Sequence, residues 1–430
     1  MRMVVAVLAC ALTPVARAYD LAGRWEFTVT QFGEPEVGRL ILEATDSGFK
    51  GRWHGLDFQV SLEGNAVQIK CSYEENKQIK SCGALTGTLA GSEMSGSGKL
   101  FDDPETWTAH RIVARTDAAP KSYEFVPKEF HRQFSGGTPA ALHIYPGDSV
   151  HTKSVDSGGV DETGTKRSPG GNPLTGPFYI EGALPGDTLA VHLKRVRLNR
   201  DTAGIYNNSV VSGAVDPDYL KEMKAVEGFD STWKLNREEG TATLSHPTER
   251  LKNLRVRLQP MLGCIGVAPP GYQAFGSGYL GSYGGNMDYS QIREGTTVYL
   301  PVYQAGAILF MGDGHAVQGD GELTGNALET SMEIEFSVDL IEGKSLGQPW
   351  AENDEYVMVM GIEGSLNEAL QTATTGLSRW LEEKYKLNTA EIAMLLGSSM
   401  RYDIAEIVDP RVHIVAKLSK AMLAQVSNSQ

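Results

Sequence analysis

Basic runs are missing from this sequence. No stretch gathers five or more Lys and Arg, and the 39 basic side chains are outnumbered by 53 acidic ones, for a formal charge of −14. A nucleic-acid partner, which needs a basic patch to neutralise phosphates, is therefore not expected. Long apolar runs are missing too. The apolar stretch at 3–12 is too short for a bilayer, which takes roughly 20 such residues, and nothing later is longer, so no transmembrane segment is expected. Cysteine is scarce, with four in 430 residues. Disorder is not indicated either, because 41% apolar content suffices for a substantial core. The length suggests about two or three domains. Glycine, by contrast, is abundant at 48 residues and sits between short β-branched and aromatic runs, which favours a β-rich fold with tight turns.

The chain opens "MRMVVAVLACALTPVARAYD". Arg2 precedes the apolar run, and Ala16-Arg17-Ala18 offers a small-x-small cleavage site. Residues 1–18 therefore read as a secretory signal peptide, and the expected product is exported, periplasmic or secreted, beginning at Tyr19. Too little apolar sequence precedes Cys10 for a lipoprotein site. Of the remaining cysteines, Cys71 and Cys82 bracket "SYEENKQIKS", a hairpin loop that a disulfide could close. Cys264, in "MLGCIGVAPP", reads as a buried small hydrophobe, with a nucleophile as the rarer alternative.

Four pieces follow from patterning. Residues 19–113 contain "GRWEFTV", "GRLILEAT", "FQVSLEG" and similar runs parted by glycine, the pattern of a small antiparallel barrel or sandwich whose role cannot be read. Residues 114–127, "ARTDAAPKSYEFVP", look like a linker. From 128 to about 345 the runs are again strand-like, and Pro-Gly-Asp occurs at 146–148 and 185–187, where Pro presets φ and Gly takes the positive-φ turn position. The tail turns helical: Leu366, Leu370, Leu377, Trp380 and Leu381 fall near a helical period behind a Ser365/Glu368 capping box. A second box, Asn388/Glu391, precedes "IAMLLG", with Gly397 as the expected stop. The fold class is β-rich α+β.

One stretch asks for chemistry. "GDGHAVQGDGE" at 312–322 sets Asp313, His315, Asp320 and Glu322 among four glycines. Asp-Gly is ordinary turn chemistry, but carboxylate and imidazole are also what a divalent metal or a general base requires. Three other stretches accompany it: "GGNPLTGPFYIEGALPGD" (170–187), "GCIGVAPP" (263–270) and "GGNMD" (284–288). In this order, together with the extended block at 306–329, they resemble the acetamidase/formamidase family of amide hydrolases over about residues 128–430. The N-terminal unit lies outside the resemblance. Asp156-Ser-Gly-Gly also matches, whereas 200–215 is a poor match and Cys264 stands where Thr or Ser is expected.

The resemblance implies a β-sandwich-type amidase domain that converts a short linear carboxamide to carboxylate and ammonia. Amide hydrolysis must activate water, stabilise an oxyanion and protonate the departing nitrogen. A divalent metal, with zinc suited to His and carboxylate ligands, is expected to be held by Asp288, Asp313, His315 and Glu181. Glu322 is the expected general base or acid. Asp320 would share its face if the two lie on a strand, and the Asn172 amide could donate to the oxyanion. Bland readings stand beside these: Asp288 as a turn cap, Glu181 as a solvent-facing strand residue, Asn172 as a loop holder. His143, His151 and His192 read as structural. A homo-oligomer is possible. The rival class is an exported binding protein on a catalytically altered amidase scaffold.

Overall fold

The structure, a computed structural model, describes residues 21–112, 115, 119–224 and 226–427. The signal-peptide and cleavage-site readings fall outside the described residues. The chain divides between residues 113 and 114 into two compact units.

The first unit closes eight antiparallel strands into a barrel. They are β1 (Gly23–Gln31), β2 (Glu34–Thr45), β3 (Gly48–Trp53), β4 (Leu56–Glu63), β5 (Ala66–Glu75), β6 (Gln78–Ala90), β7 (Glu93–Leu100) and β8 (Asp103–Arg111). Each pairs with the next, and β1 closes on β8 with Phe27 opposite Ala109. Alternation sends Trp25, Phe27, Leu40, Trp107 and Ala109 inward, where each is fully buried or nearly so. Phe27 packs edge-on against Trp53 and Phe58 at 5.4 and 5.6 Å, so aromatic rings fill the lumen. Of the two all-β forms the sequence allows, closure selects the barrel. Cys71 on β5 and Cys82 on β6 are joined by a disulfide.

The second unit stacks two sheets and a helical layer. One sheet carries the strands Met261–Gly266, Leu309–His315 and Leu174–Ile180; the other carries Thr188–Leu198, Met332–Ile341 and Tyr356–Glu363. Both faces of the interior contribute to one core, as where Phe178 meets Phe336 with ring centroids 5.1 Å apart. Ser122–Glu124 pairs in parallel with Ser149–Lys153, so the segment expected to be linker up to 127 is already sheet there. The two Pro-Gly-Asp turns form as read: Gly147 and Gly186 have φ of 89° and 90°, and the buried Asp148 and Asp187 carboxylates accept backbone N–H groups of Tyr145 and Leu184.

The helix Leu366–Tyr385 starts at Ser365, whose hydroxyl accepts the Glu368 N–H. It buries Ala369, Ala373, Gly376, Leu377 and Leu381, while Leu366 and Leu370 stay exposed, contrary to the apolar stripe read from the sequence. Close approach explains the difference. A Cβ on Gly361 would overlap the Ala369 carbonyl oxygen, so the helix meets the sheet through small residues where leucines would not fit. The Asn388/Glu391 capping box is complete, and its helix runs Thr389–Ser399, past Gly397, which is helical and does not stop it. Among the described residues no helix is long and apolar enough to cross a membrane.

Candidate active site

The strand Met261–Gly266 is buried throughout and lies between Gly284–Asn286 and Leu309–His315. Its register places Met261 opposite His315 and Cys264 opposite Gly312. In "GDGH" the alternation separates two tasks. Gly312 and Gly314 face crowded neighbours, where a Cβ would come within 2.9 Å of the Pro173 carbonyl oxygen and 2.8 Å of that of Thr330. Asp313 and His315, two residues apart, point to the other side. Gly263 is the floor beneath them: a Cβ there would lie 2.8 Å from Asp313 Oδ2, 3.1 Å from His315 Cε1, and closer still to Asp288 Oδ1. The carboxylates and the imidazole take the space that a side chain at 263 would fill.

Four of its residues hold left-handed backbone: Asn172, Asp288, Asp313 and Glu322 have φ of 51°, 41°, 55° and 48°. Such conformations cost a non-glycine residue roughly 1–2 kcal/mol and persist only where the surroundings enforce them. The enforcement is visible. Asp288 N–H donates to the Gly263 carbonyl, and the Asn172 amide donates to Asp313 Oδ2 at 2.9 Å and to Asn286 Oδ1 at 3.0 Å. Asn286 in turn donates to Asp288 Oδ2 at 2.7 Å and Asp409 Oδ2 at 2.6 Å.

One oxygen of each key carboxylate is thus engaged, and the other is left over. Asp288 Oδ1, Asp313 Oδ1, Glu329 Oε2 and His315 Nε2 are buried without a hydrogen-bond partner. His315 Nε2 lies 3.3 Å from Glu329 Oε1, 3.6 Å from Asp313 Oδ1 and 4.0 Å from Glu322 Oε1. Its Nδ1 is 2.9 Å from Gln318 Oε1, and Gln318 Nε2 donates to the carbonyls of Asp288 and Ala405. Since the amide nitrogen is committed to two carbonyls, Oε1 must accept, so Nδ1 donates and Nε2 is the ring nitrogen left facing the carboxylates. Two overlapping sets, Asp288/His315/Glu322 and Asp313/His315/Glu329, have ligand atoms within 4.8 Å of one another and can bind a metal. The donor set fits a divalent cation: buried oxygens without hydrogen-bond partners and one imidazole nitrogen converge within ligand distance of one another.

The electrostatics agree. Burial, then Glu322, drives the Asp288 carboxyl well above the usual carboxylate range, and burial does the same to Glu322. Glu329 is raised by burial first, while Glu406 is pushed to about 8 by burial and Asp409, and Asp409 to about 7 by burial. For His315, burial opposes the charged ring, but Glu329 and Asp313 outweigh it and raise its pKa. A pocket this rich in negative charge and this dry invites a cation.

Not every residue picked from the sequence arrives here. Asp313, His315, Asp288 and Glu322 converge. Glu181 does not: it follows the strand Leu174–Ile180 and pairs with His143 Nδ1 at 2.8 Å near the surface. Asp320 is exposed, because 316–328 is loop and turn rather than the strand that would have let it share a face with Glu322. Asn172 sits beside the pocket, but its amide is spent on Asp313 and Asn286, which makes it a positioning group and removes the oxyanion role. Asp156 is held by Arg200 Nη2 at 2.6 Å. His151 and His192 bond to Glu333 and Asp339 on the neighbouring strand, as structural histidines do. Cys264 is more than packing, since its thiol donates to Asn286 Oδ1 at 2.7 Å. It is fully buried, and burial with Asp313 and Asp288 raises its pKa, the opposite of an activated nucleophile. Glu329, Asn286, Gln318 and Asp409 were not singled out from sequence. Glu329 and Asn286 close and sit within two of the quoted blocks, while nothing in "EIVDPRV" marks Asp409.

A model described as the Acetamidase/Formamidase family matches residues 122–272 and 281–409. The chain is similar to a formamidase from Methylophilus methylotrophus, 24% identical over 286 residues that cover 54% of this chain and 69% of that protein. It is also similar to an acetamidase from Mycolicibacterium smegmatis, 26% identical over 268 residues, 50% of this chain. The matched part spans between 64% and 69% of such relatives' own lengths. In three dimensions the chain is similar to an acetamidase from Yersinia enterocolitica, with TM-score 0.61, 28% identity, and coverage of 73% of this chain and 96% of that one. An acetamidase from Bacillus halodurans gives TM-score 0.59, 25% identity, and coverage of 71% and 99%.

Proposed function

Because this chain belongs to the acetamidase/formamidase family, we propose that it hydrolyses a short linear carboxamide, such as formamide or acetamide, to carboxylate and ammonia. The observation that carries the reading is the convergence of Asp288 Oδ1, Asp313 Oδ1, Glu329 Oε2 and His315 Nε2, all buried and unpartnered, above Gly263. These residues would hold a divalent ion, with zinc the first candidate on the His-plus-carboxylate donor set. When bound, such an ion lowers the pKa of water to about 7 and polarises a carbonyl.

The chain's own groups supply the rest. Glu322 lies on the loop beside the cluster with Oε1 4.0 Å from His315 Nε2, and burial keeps it a weak acid. It accepts a proton from the attacking water and returns it to the amide nitrogen as the C–N bond breaks. Asn172, Asn286 and Cys264 orient Asp313 and Asp288. Gln318 fixes the His315 ring. Burial excludes bulk water from the ligand atoms.

We propose further that the chain is exported, starting at Tyr19; the Cys71–Cys82 disulfide supports an oxidising destination. Terminal sequencing of protein from its natural host checks this, and an intact Met1 on cytoplasmic protein would refute it. The activity is tested by ammonia release from formamide, acetamide, longer amides and small lactams, with and without chelator. Release from short linear amides that chelation stops is expected. No release from any amide would move the chain to the binding-protein class.

A further inference from the structure

The barrel carries a second accumulation of acid, unconnected with the amide chemistry. In an up-and-down barrel the hairpins β1–β2, β3–β4, β5–β6 and β7–β8 all turn at one end, and here the chain enters at Gly23 and leaves at Arg111 at the other. The inward register is apolar through most of the lumen: Trp25, Phe27 and Val29 on β1, Ala109 and Trp107 on β8, Leu42 and Leu40 on β2. Toward the hairpin end the same register turns acidic. It continues to Glu105 and Asp103 on β8, and to Glu36 on β2, the partner of Val29.

Glu105 is 6% exposed, and its Oε2 has no hydrogen-bond partner. Asp103 follows Glu105 at the next inward position of β8, and Glu36 lies on the far side of β1 in the same register; burial, then Asp103 and Glu36, push the Glu105 carboxyl up. Two groups nearby reduce the charge little: Gln31 donates to Asp103 Oδ2 at 2.9 Å, and His54 stands 3.7 Å from Glu36. Trp53, at the same end of β3, has its indole N–H buried and unpartnered. Around this mouth the hairpin tips present apolar side chains to solvent. Phe32 and Phe101 are 79% and 55% exposed, and each holds a left-handed φ (48° and 52°) where glycine or asparagine would be less strained. Ile79 on a third hairpin is 82% exposed.

We propose that this end of the barrel binds a Lys or Arg side chain presented by an apolar segment of a partner polypeptide. The carboxylates ask for a cation, and the aromatic tips ask for an apolar stem beside it. Phe32, Phe101 and Ile79 belong to three separate hairpins, a spread that a small amine would leave mostly uncovered. An anionic bilayer, the other surface that draws exposed aromatic tips, is repelled by the acidic rim.

The test uses the full-length protein and a capped peptide of alternating Lys and Leu, with a Glu–Leu peptide, n-butylammonium and phosphatidylcholine/phosphatidylserine vesicles as separate arms. The Lys–Leu peptide should bind with an affinity that falls as salt rises, and the Glu–Leu peptide should not bind. Glu105→Gln and the double variant Phe32→Ser/Phe101→Ser should each weaken binding tenfold or more, with thermal unfolding unchanged. Should Glu105→Gln disturb the fold, Glu36→Gln, which is exposed, replaces it. Equal affinity in wild type and variants overturns the proposal, as does n-butylammonium displacing the peptide at comparable concentration. Vesicle binding that depends on Phe32 and Phe101 in place of peptide binding overturns it as well.

Discussion

The two units use the same strained backbone for opposite ends. In the barrel the non-glycine residues with positive φ, Phe32, His54, Asn76, Lys77, Phe101 and Asp102, lie at hairpin tips, where the conformation reverses the chain and fixes strand register. In the second unit Asn172, Asp288, Asp313 and Glu322 adopt it in or beside the pocket, where no hairpin requires it and side chains are aimed by it. Glycines divide the same way. A Cβ on Gly96 would overlap the Thr86 carbonyl oxygen on the neighbouring strand β6, so that glycine serves packing. Gly263 makes room for ligand atoms. Strain and small residues that serve stability therefore have to be separated, residue by residue, from those that serve chemistry.

The sharpest break in that comparison is a methyl group in each place. Gly263→Ala puts a Cβ among Asp288, Asp313 and His315, and it should reduce bound metal and ammonia release to background, as should His315→Ala, which deletes the shared ligand. Gly96→Ala should instead lower the unfolding temperature while metal content stays at the wild-type level. Metal analysis and melting curves on the three proteins decide it. If Gly263→Ala retains metal and turnover, the pocket is not where the ligand atoms point.

A smaller effect separates holding from catalysing. Glu322→Gln keeps shape and one oxygen but cannot take a proton, so turnover should fall roughly 10²–10⁴-fold. Metal content should hold near wild type, because Asp288, Asp313, His315 and Glu329 remain. Loss of metal in parallel with activity would make Glu322 a ligand and leave the proton to another group.

Smaller again is the disulfide. Cys71→Ser with Cys82→Ser should cost the barrel roughly 2–4 kcal/mol, read by denaturant unfolding of the full chain. Ammonia release should be unchanged. Wild-type peptides mapped without reduction should show the two cysteines joined.

Much of this was legible before any coordinates, and what was not has physical causes. Alternating runs between glycines specify strands, because side-chain period and turn chemistry are local properties; hence the strand-rich barrel and both Pro-Gly-Asp turns could be read. Asp313 and His315 were readable because carboxylate and imidazole stand together among glycines in a block that resembles the amidase family, although the same stretch reads equally as turn chemistry. Glu322 and Asp320 differ by two, yet the segment is a loop, and only the fold reveals that one is buried and the other exposed. Asp409 reaches the cluster through Asn286, 123 positions away, and no local pattern reports such a partner. Leu366 and Leu370 failed for the reverse reason. Periodicity finds an apolar face, but the distance between helix and sheet chooses whether alanine or leucine sits against Gly361.

The finest distinction concerns Cys264, which the sequence marks as ordinary core. Its thiol donates to Asn286 Oδ1, and Asn286 holds both Asp288 and Asp409 through its amide nitrogen. The thiol therefore helps choose which way the Asn286 amide faces. Cys264→Ser preserves a donor at nearly the same place and should leave turnover within about threefold, since a net hydrogen bond contributes only about 1 kcal/mol. Cys264→Ala removes the donor and leaves a small void in a fully buried position, and it should lower metal affinity more than it lowers turnover at saturating metal. Titrating each variant with metal, then assaying at saturation, separates the two quantities. Equal behaviour of Ser and Ala would mean the thiol only fills space. A dead Cys264→Ser with metal fully bound would point back to sulfur as the nucleophile, against its burial and its raised pKa.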